Sequence, residues 1–205
     1  MSTRGTLFTL SAPSGAGKTS LVTALLEDCE HIKVSVSHTT RPRRPGEIDG
    51  TDYHFVDDAS FIDMLNHDAF LEHAQVFDHY YGTSSQWVED TLVSGVDVIL
   101  EIDWQGATQI HRLIPDCVRI FILPPSLDSL TSRLTERGQD NAEVIARRVA
   151  QAQEEISHYV ESDYLVINDN FDTALGELHA VVQAQRLRLD VQQDKHDELL
   201  SALLS

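Results

Sequence analysis

Lysine is scarce in this chain, and basic residues are outnumbered by acidic ones. Of the 205 residues, 15 are Lys or Arg and 33 are Asp or Glu, which gives a formal net charge of −18. Only three of these cations are lysines: Lys18, Lys33 and Lys195. Proteins that coat DNA or bind anionic lipid carry an excess of positive charge, because they must neutralise phosphates. The charge balance therefore excludes both roles, and we expect neither nucleic acid nor a membrane as a partner.

The chain also lacks the signatures of disulfide-rich, metal-binding and membrane proteins. Its two cysteines, Cys29 and Cys117, form no CxxC pair and are predicted to be small core residues of a reducing compartment. The ten histidines show no metal-ligand spacing and no HExxH motif. No stretch approaches the roughly 18 apolar residues of a membrane span, and the N-terminus has no signal-peptide pattern. We therefore expect a cytoplasmic protein, and the hydrophobic content of 41% predicts that it folds.

The segments that are present alternate between strand-like and helix-like patterns. Short apolar runs predict strands at residues 6–11, 34–37, 54–56, 70–77, 96–102, 118–123 and 164–167, and the last three are typical of buried parallel strands. Helical periodicity predicts helices at about residues 85–93, 126–138 and 142–159, two more that begin near residues 18 and 171, and one behind a capping Asp58. The polar stretch 38–53 is predicted to be a loop. Four leucines near the C-terminus are predicted to close the core or to contact another subunit: Leu199, Leu200, Leu203 and Leu204.

This alternation predicts an α/β protein with a central parallel sheet. Ligands of such sheets bind beyond the carboxyl ends of the strands. The loops after Ser11, Ile102 and Leu123 are therefore the expected positions of a functional site.

The loop after the first strand reads APSGAGKT and matches the phosphate-loop pattern GxxxxGK[ST] except at its first position. Its two glycines allow the backbone to turn so that successive N–H groups point at phosphate oxygens, and the following helix adds its positive end. Lys18 is expected to reach the β- and γ-phosphates, and the Thr19 hydroxyl to bind Mg²⁺. The predicted phosphate-binding residues are Ala12, Pro13, Ser14, Gly15, Ala16, Gly17, Lys18 and Thr19.

A phosphate loop alone leaves several functions open. A chance strand–turn–helix junction is disfavoured because Lys18 and Thr19 directly follow the second glycine. A dinucleotide-binding loop is disfavoured because Ser20 stands where a third glycine is needed. A GTPase is disfavoured because no NKxD-type guanine-reading motif occurs. ATPases and small-molecule kinases remain.

A second segment narrows this choice. Arg41, Arg43 and Arg44 fall within four residues of a strongly acidic chain and predict an anionic partner, although the role of Arg43 stays open. Further motifs follow in chain order, namely VSHTTRPRRPGE at 36–47, GTDY at 50–53, FLEHA at 70–74, YYGTS at 80–84, EIDWQGA at 101–107, RLTERGQ at 133–139 and VIND at 166–169. With these motifs and the phosphate loop, nearly the whole chain resembles guanylate kinase of the bacterial type.

The resemblance implies a fold and a reaction. The fold is an α/β P-loop kinase core with a central parallel sheet, an inserted GMP-binding α+β subdomain and a helical lid. In the single domain 1–205, the core would comprise 1–36, 94–123 and 160–205, the GMP-binding subdomain 37–93 and the lid region 124–159. The reaction is direct in-line transfer of the γ-phosphoryl group of ATP to GMP with Mg²⁺, giving ADP and GDP in purine metabolism. GMP is the expected partner, with dGMP as a weaker substrate and a homo-oligomer as a further expectation.

The resemblance also implies the roles of single residues. Arg41, Arg44, Tyr53 and Tyr81 would hold the GMP phosphate, Glu47 would orient the arginines, and Ser37, Glu72, Thr83 and Asp103 would read the base. In the lid, Arg137 would border the adenine, while Arg133 and Arg148 would stabilise the transferring phosphoryl group; Asn168 would line the adenine pocket. Glu101 and Asp103 would act on Mg²⁺ through water. The implied catalytic residues are Lys18, Arg41, Arg133, Arg148 and Asp103.

The residue types agree with this reading. Guanine presents N1–H and N2–H₂ donors beside the O6 acceptor, so a carboxylate such as Glu72 accepts from both donors and a hydroxyl donates to O6. Asp103 follows an apolar strand, where P-loop folds hold the acid on the Mg²⁺ side, and Glu101 points the same way two residues earlier. Two rivals remain: another P-loop kinase, for example one that acts on a ribose phosphate, and a non-catalytic binding module. Intact Lys18, Thr19 and Asp103 disfavour the second.

Overall fold

The computed structural model describes residues 4–76, 78–136 and 142–205. Within them the strands are β1 (Leu7–Ser11), β2 (Ile32–Val34), β3 (His38–Thr39), β4 (His54–Phe55), β5 (Phe70–Val76), β6 (His79–Ser84), β7 (Asp97–Glu101), β8 (Val118–Leu123) and β9 (Tyr164–Ile167). The helices are α1 (Lys18–Asp28), α2 (Asp58–Asn66), α3 (Ser85–Val93), α4 (Trp104–Leu113), α5 (Leu127–Glu136), α6 (Ala142–Ser157), α7 (Phe171–Arg186), α8 (Leu189–Lys195) and α9 (Asp197–Leu204).

The central sheet is parallel and has the order β2-β7-β1-β8-β9. Strand β1 lies in its middle, where Thr9 is paired with Leu100 on one side and with Arg119 on the other. All five residues of β1 are buried, because helices cover both faces of the sheet. The predicted α/β architecture is confirmed, and the carboxyl ends of β1, β7 and β8 meet at one edge.

Two apolar clusters lie on opposite faces of this sheet. Phe8 and Leu10 of β1 pack with α1 and α7, whereas Leu7 packs with residues of α3 and α4. Successive side chains of a strand point to opposite faces, so β1 contributes to both clusters. The strand that leads into the phosphate loop is therefore packed on both faces.

Residues 38–84 contain a second sheet, with the order β4-β3-β6-β5. Its largest unit is the antiparallel pair of β5 and β6, in which Glu72 is opposite Thr83. Strand β5 is at the edge of this sheet and also packs against α4, which follows β7 of the central sheet. The second sheet therefore stands beside the carboxyl edge of the first.

Several sequence predictions are corrected by the structure. The strand predicted at 34–37 is Ile32–Val34, and the predicted loop 38–53 begins with β3, because the chain crosses there from one sheet to the other. Asp57 rather than Asp58 caps α2, since its carboxylate accepts the N–H of Ser60 at 2.7 Å. The motif YYGTS, for which we predicted no strand, belongs to β6. Helix α6 ends at Ser157 rather than near residue 159, and a 3₁₀ turn (His158–Glu161) follows.

Burial differs from the expectations in three places. Strand β9 is at the edge of the central sheet, so Leu165 and Ile167 remain 45% and 43% exposed and the strand is not fully buried. Cys117 is buried as predicted, but Cys29 is only half-buried, and both are free thiols. The four C-terminal leucines are 37–88% exposed, so they do not close the core, and contact with another subunit stays a prediction.

Across the described part of the chain, no helix has both the length and the apolar character needed to cross a membrane.

Candidate active site

A cleft of about 570 Å³ opens where the carboxyl edge of the central sheet faces the second sheet. It brings together most of the sequence-predicted site residues from five separate parts of the chain. The phosphate loop contributes all eight of its residues. The other predicted residues that line the cleft are Ser37, Tyr53, Glu72, Tyr81, Glu101, Asp103, Arg133 and Asn168.

The phosphate loop has the backbone that its glycines predicted. Gly15 and Gly17 have φ angles of +93° and +91°, in the left-handed region that glycine adopts without strain. At Gly17 a side chain is excluded for a second reason, because a Cβ would lie 2.4 Å from Nδ2 of Asn168. Asn168 donates from the same nitrogen to the carbonyl of Ala16 at 2.7 Å. Asn168, the residue that follows β9, therefore supports the phosphate loop through this hydrogen bond.

Lys18 is directed toward the interior of the cleft. Its Nζ donates to the carbonyl oxygen of Ile102, at the end of β7, at 3.2 Å. Burial lowers the pKa of this ammonium, while the nearby carboxylates of Glu101, Asp103 and Glu155 act in the opposite direction. A cation held among acids in this way is oriented before any phosphate arrives.

Acidic side chains outnumber basic ones around the cleft, although its loop is built for phosphate. Within residues 4–76, 78–136 and 142–205, the basic lining residues are Lys18 and Arg133, whereas the acidic ones are Glu72, Glu101, Asp103, Glu155 and Asp169. Thr19 donates from Oγ1 to Oε2 of Glu101 at 3.0 Å, and the Asp103 carboxylate caps α4 by accepting the N–H of Gly106 at 2.9 Å. Oxygen ligands and an excess of negative charge suit a hard divalent cation that accompanies the phosphates.

No group of three or more His, Cys, Asp or Glu side chains that could hold a metal ion occurs among the described residues. Mg²⁺ is commonly bound by one or two carboxylates together with substrate phosphates rather than by an all-protein cage. The hydroxyl of Thr19 and the carboxylates of Glu101 and Asp103 fit that pattern, because they supply oxygen ligands on one side of the phosphate loop.

Arg133 of α5 borders the same loop from the other side. Its guanidinium donates to the carbonyl of Ala16 at 3.3 Å and to that of Asn168 at 2.9 Å. Arg148 lies on α6 and does not line the cleft. Arg137, predicted to border the adenine, lies outside the described residues. Of the three predicted lid arginines, the structure therefore brings Arg133 to the phosphate loop.

Glu155 is a cleft residue that the sequence reasoning missed. It lies on α6, and its Oε2 accepts the backbone N–H of Ser14 in the phosphate loop at 3.3 Å. Burial raises the pKa of this carboxyl group, and Asp103 adds to the effect. This N–H is one of the loop donors that we expect to bind a phosphate, and Glu155 would compete with a phosphate for it. No local motif distinguishes Glu155 from the many other acids of the chain. Sequence reasoning also made no prediction for six further residues that line the cleft, namely Ser20, Ala74, Val76, Ile102, Asp169 and Phe171.

The opposite end of the cleft contains a buried carboxyl–hydroxyl pair. Thr83 of β6 donates from Oγ1 to Oε1 of Glu72 on β5 at 2.5 Å, and both side chains are 3% exposed or less. Burial raises the pKa of Glu72 to about 7, and the charge of Asp103 contributes, while the hydrogen bond from Thr83 opposes the shift. Ser37, also buried, lines the cleft beside this pair.

The arginine-rich segment is organised by Glu47. Its Oε1 accepts from the guanidinium of Arg41 at 2.6 Å, and its Oε2 accepts the backbone N–H of Arg44 at 2.7 Å. The guanidinium of Arg41 also lies over the ring of Tyr53, 5.3 Å from its centroid. Arg41, Arg44, Glu47 and Thr83 do not themselves line the cleft. Arg41 and Thr83 instead contact residues that do, namely Tyr53 and Glu72.

The two tyrosines form the wall next to these arginines. The rings of Tyr53 and Tyr81 meet edge to face, with centroids 5.9 Å apart. Burial raises the pKa of Tyr53 to about 12, so its phenol stays protonated at neutral pH and keeps a hydrogen-bond donor. Donors without net charge beside a guanidinium suit a bound phosphate.

Comparison with known proteins agrees with this geometry. A sequence model of the family described as "Guanylate kinase" matches residues 4–185. A guanylate kinase of Saccharophagus degradans is 62% identical over the full length of both chains, and that of Escherichia coli is 55% identical over 98% of this chain and 99% of its own. The crystal structure of guanylate kinase from Anaplasma phagocytophilum superposes with a TM-score of 0.76 at 32% identity, covering 91% of this chain and 89% of that one. The chain belongs to the guanylate kinase family.

Proposed function

We propose that this chain is an ATP:GMP phosphotransferase that moves the γ-phosphoryl group of ATP to GMP and releases ADP and GDP. The observation that carries the proposal is one cleft that joins a phosphate loop with Lys18 to the buried pair of Glu72 and Thr83. The carboxylate can accept both donors of the guanine edge. Adenine presents an acceptor at N1 instead, and an unpaired buried group costs about 1–3 kcal/mol, more when it is charged.

A nucleotide panel tests this function. ADP release is measured with ATP, Mg²⁺ and each of GMP, dGMP, AMP, CMP and UMP. We expect turnover with GMP, weaker turnover with dGMP and at least 10³-fold lower kcat/KM with AMP, because a site built around specific hydrogen bonds strongly rejects the wrong edge. Comparable rates with AMP would contradict the base-reading role of Glu72. Phosphorylation of a ribose phosphate in preference to GMP would favour another P-loop kinase.

The proposed roles of the site residues follow their positions. The phosphate loop and Lys18 bind the phosphates of ATP, and Asn168, behind the loop, borders its adenine. Arg133 stabilises charge on the transferring group, as does Arg148 once the lid closes, and Arg137 borders the adenine. The remaining residues bind GMP: Arg41, Arg44, Tyr53 and Tyr81 at its phosphate, Ser37, Glu72, Thr83 and Asp103 at its base, and Glu47 as the support of both arginines.

A division of labour within the chain belongs to the same proposal. Residues 37–93 act as the GMP-binding subdomain and 124–159 as the lid, and both close on the core to exclude water from the transferring phosphoryl group. Such closure protects ATP from wasteful hydrolysis. A cytoplasmic location, where ATP and GMP are available, and self-association through the C-terminal leucines complete the proposal.

Mg²⁺ is the cofactor that the family implies and that the site fits. The Thr19 hydroxyl would hold it directly, with Glu101 and Asp103 acting through water. When bound, it neutralises charge on the phosphates during transfer. The charge of the cleft supports this assignment, because its described lining residues include more carboxylates than cations. Without a metal cation, the phosphates of ATP and GMP would enter a site that is already negatively charged.

The raised pKa of Glu72 predicts a pH dependence. Guanine donors need the ionised carboxylate, which is lost as the pH falls through about 7. We therefore expect kcat/KM for GMP to fall about tenfold per pH unit below that value. A phosphate monoester also titrates near pH 6, so the control is Glu72→Gln, which keeps the phosphate titration and loses the step near 7. A wild-type profile that is flat between pH 6 and 8 would contradict the prediction.

A further inference from the structure

Helix α4 contacts the base-reading strand β5 along one side. Asp103 at its cap, Gly106 and Gln109 follow one another at intervals of three residues, which places them on neighbouring positions of the helix surface. The opposing strand carries Glu72 and His73. The contact thus joins the central sheet, through the helix that follows β7, to the second sheet.

Gln109 binds both backbone groups of one residue of β5. Its Nε2 donates to the carbonyl oxygen of His73 at 2.7 Å, and its Oε1 accepts the N–H of His73 at 3.2 Å. Because β5 is the edge strand of its sheet, these backbone groups have no further strand to pair with. The side-chain amide takes the place of that strand. The side chain of His73 is itself exposed, so the contact depends on the position of the backbone.

Gly106, one turn before Gln109, receives the carboxyl group of Glu72. A Cβ at this position would lie 2.6 Å from Oε2 of Glu72 and 3.3 Å from its Cδ. The carboxyl group therefore rests against the backbone of the first turn of α4. On the other side of Glu72, Leu71 packs against the buried cluster that contains Ile102 and Ile110. Leu71 and His73, on either side of Glu72, are therefore both held by the part of the structure that contains β7 and α4.

We propose that Gln109 is a positioning residue for guanine selection: its amide fixes the backbone of β5 so that Glu72 rests on Gly106 and faces the purine edge. This inference rests on the proposed function. Gln109 is not among the residues that line the cleft, so it acts through Glu72. Displacing a hydrogen-bonding group by about 1 Å is enough to weaken its contact with a bound substrate, so loss of the amide reduces binding of GMP more than turnover.

The test replaces the amide by a side chain of similar size. Gln109→Leu is compared with Gln75→Leu, the same change at an exposed position of β5. For each enzyme kcat and KM are measured with GMP and with IMP, which lacks the 2-amino group and so makes fewer contacts with Glu72. We expect Gln109→Leu to raise the KM for GMP about tenfold and to reduce the preference for GMP over IMP about fivefold. The values of kcat and of KM for ATP should stay within twofold of the wild type, as should all values for Gln75→Leu.

A second variant, Gln109→Asn, keeps an amide but is one methylene too short to bind both groups of His73, and we expect the same loss of preference. Gln109→Asn also provides the test if the leucine variant does not fold. A lower melting temperature with an unchanged GMP-to-IMP ratio in these variants overturns the inference, because it shows a structural role alone. A wild-type enzyme without preference for GMP overturns this inference and the proposed function together, whereas a wild-type preference that both variants retain overturns this inference only.

Discussion

Replacing Lys18 by alanine is expected to lower kcat by about 10²–10³-fold, the usual loss when one preorganised donor to a developing charge is removed. Phosphoryl transfer depends on positioning and charge neutralisation, and Lys18 is one of two cations that line the acidic cleft among the residues that the structure describes. Its Nζ is already held by the carbonyl of Ile102, so the positive charge is in place before ATP binds. The measurement is steady-state turnover with saturating ATP and GMP.

The control for this variant is Lys33→Ala, which removes an exposed lysine of β2, a strand that β7 separates from β1 and its phosphate loop. It should retain wild-type turnover and melting temperature. Circular dichroism of Lys18→Ala should show the wild-type helix and strand content, because Lys18 is at the first residue of α1 and has no apolar packing role. Full activity in the folded Lys18→Ala enzyme would refute the assignment of the phosphate loop.

The second large effect is expected at the base-reading end of the cleft. Glu72→Gln keeps the size of the side chain but removes its charge and replaces one acceptor by a donor, which faces the guanine N–H groups. Hydrogen bonds to charged groups contribute about 1.5–3 kcal/mol each, so losing one and reducing the other to a weaker neutral bond predicts a fall of about 10²–10³-fold in kcat/KM for GMP. The affinity for ADP, measured by calorimetry without GMP, should not change by more than about twofold, because Glu72 is not part of the phosphate loop.

Glu177→Gln, an exposed position on α7, is the matched control and should behave as the wild type. The two measurements separate base reading from a general defect. If Glu72→Gln weakened ADP binding and GMP use by the same factor, the side chain would support the whole cleft rather than select the base. Together with Lys18→Ala, the pair assigns the two ends of one cleft to two different nucleotides.

Much of the phosphate-binding end was predictable from local sequence. The positive φ angles of Gly15 and Gly17, the helix that begins at Lys18 and the acid after β7 follow from short-range rules on glycine, helix starts and apolar runs. Strand β8 and helix α3 begin and end at the residues expected. The prediction was wrong where the chain passes from the central sheet to the second one. The strand expected at 34–37 is shifted because residues 35–37 connect the two sheets.

Other features depended on contacts between distant parts of the chain. Glu155 reaches the phosphate loop across 141 residues, and Gln109 binds β5 across 36. Neither residue stands in a pattern that differs from an ordinary polar helix surface. The same applies to Glu47, which the family resemblance suggested as a support but whose bonds to Arg41 and Arg44 required the folded loop.

The distribution of charge shows most clearly which features follow from the sequence and which depend on the fold. The sequence by itself established an acidic α/β chain with a phosphate loop, and it located an arginine cluster where an anion was expected. Only the tertiary structure decided that acids outnumber bases among the described residues that line the cleft, that Arg41 is bound to Glu47, and that burial raises the pKa of Glu72 to about 7. Local motifs determine backbone conformation over a few residues, whereas desolvation and the pairing of charges depend on which segments the packing of two sheets brings together.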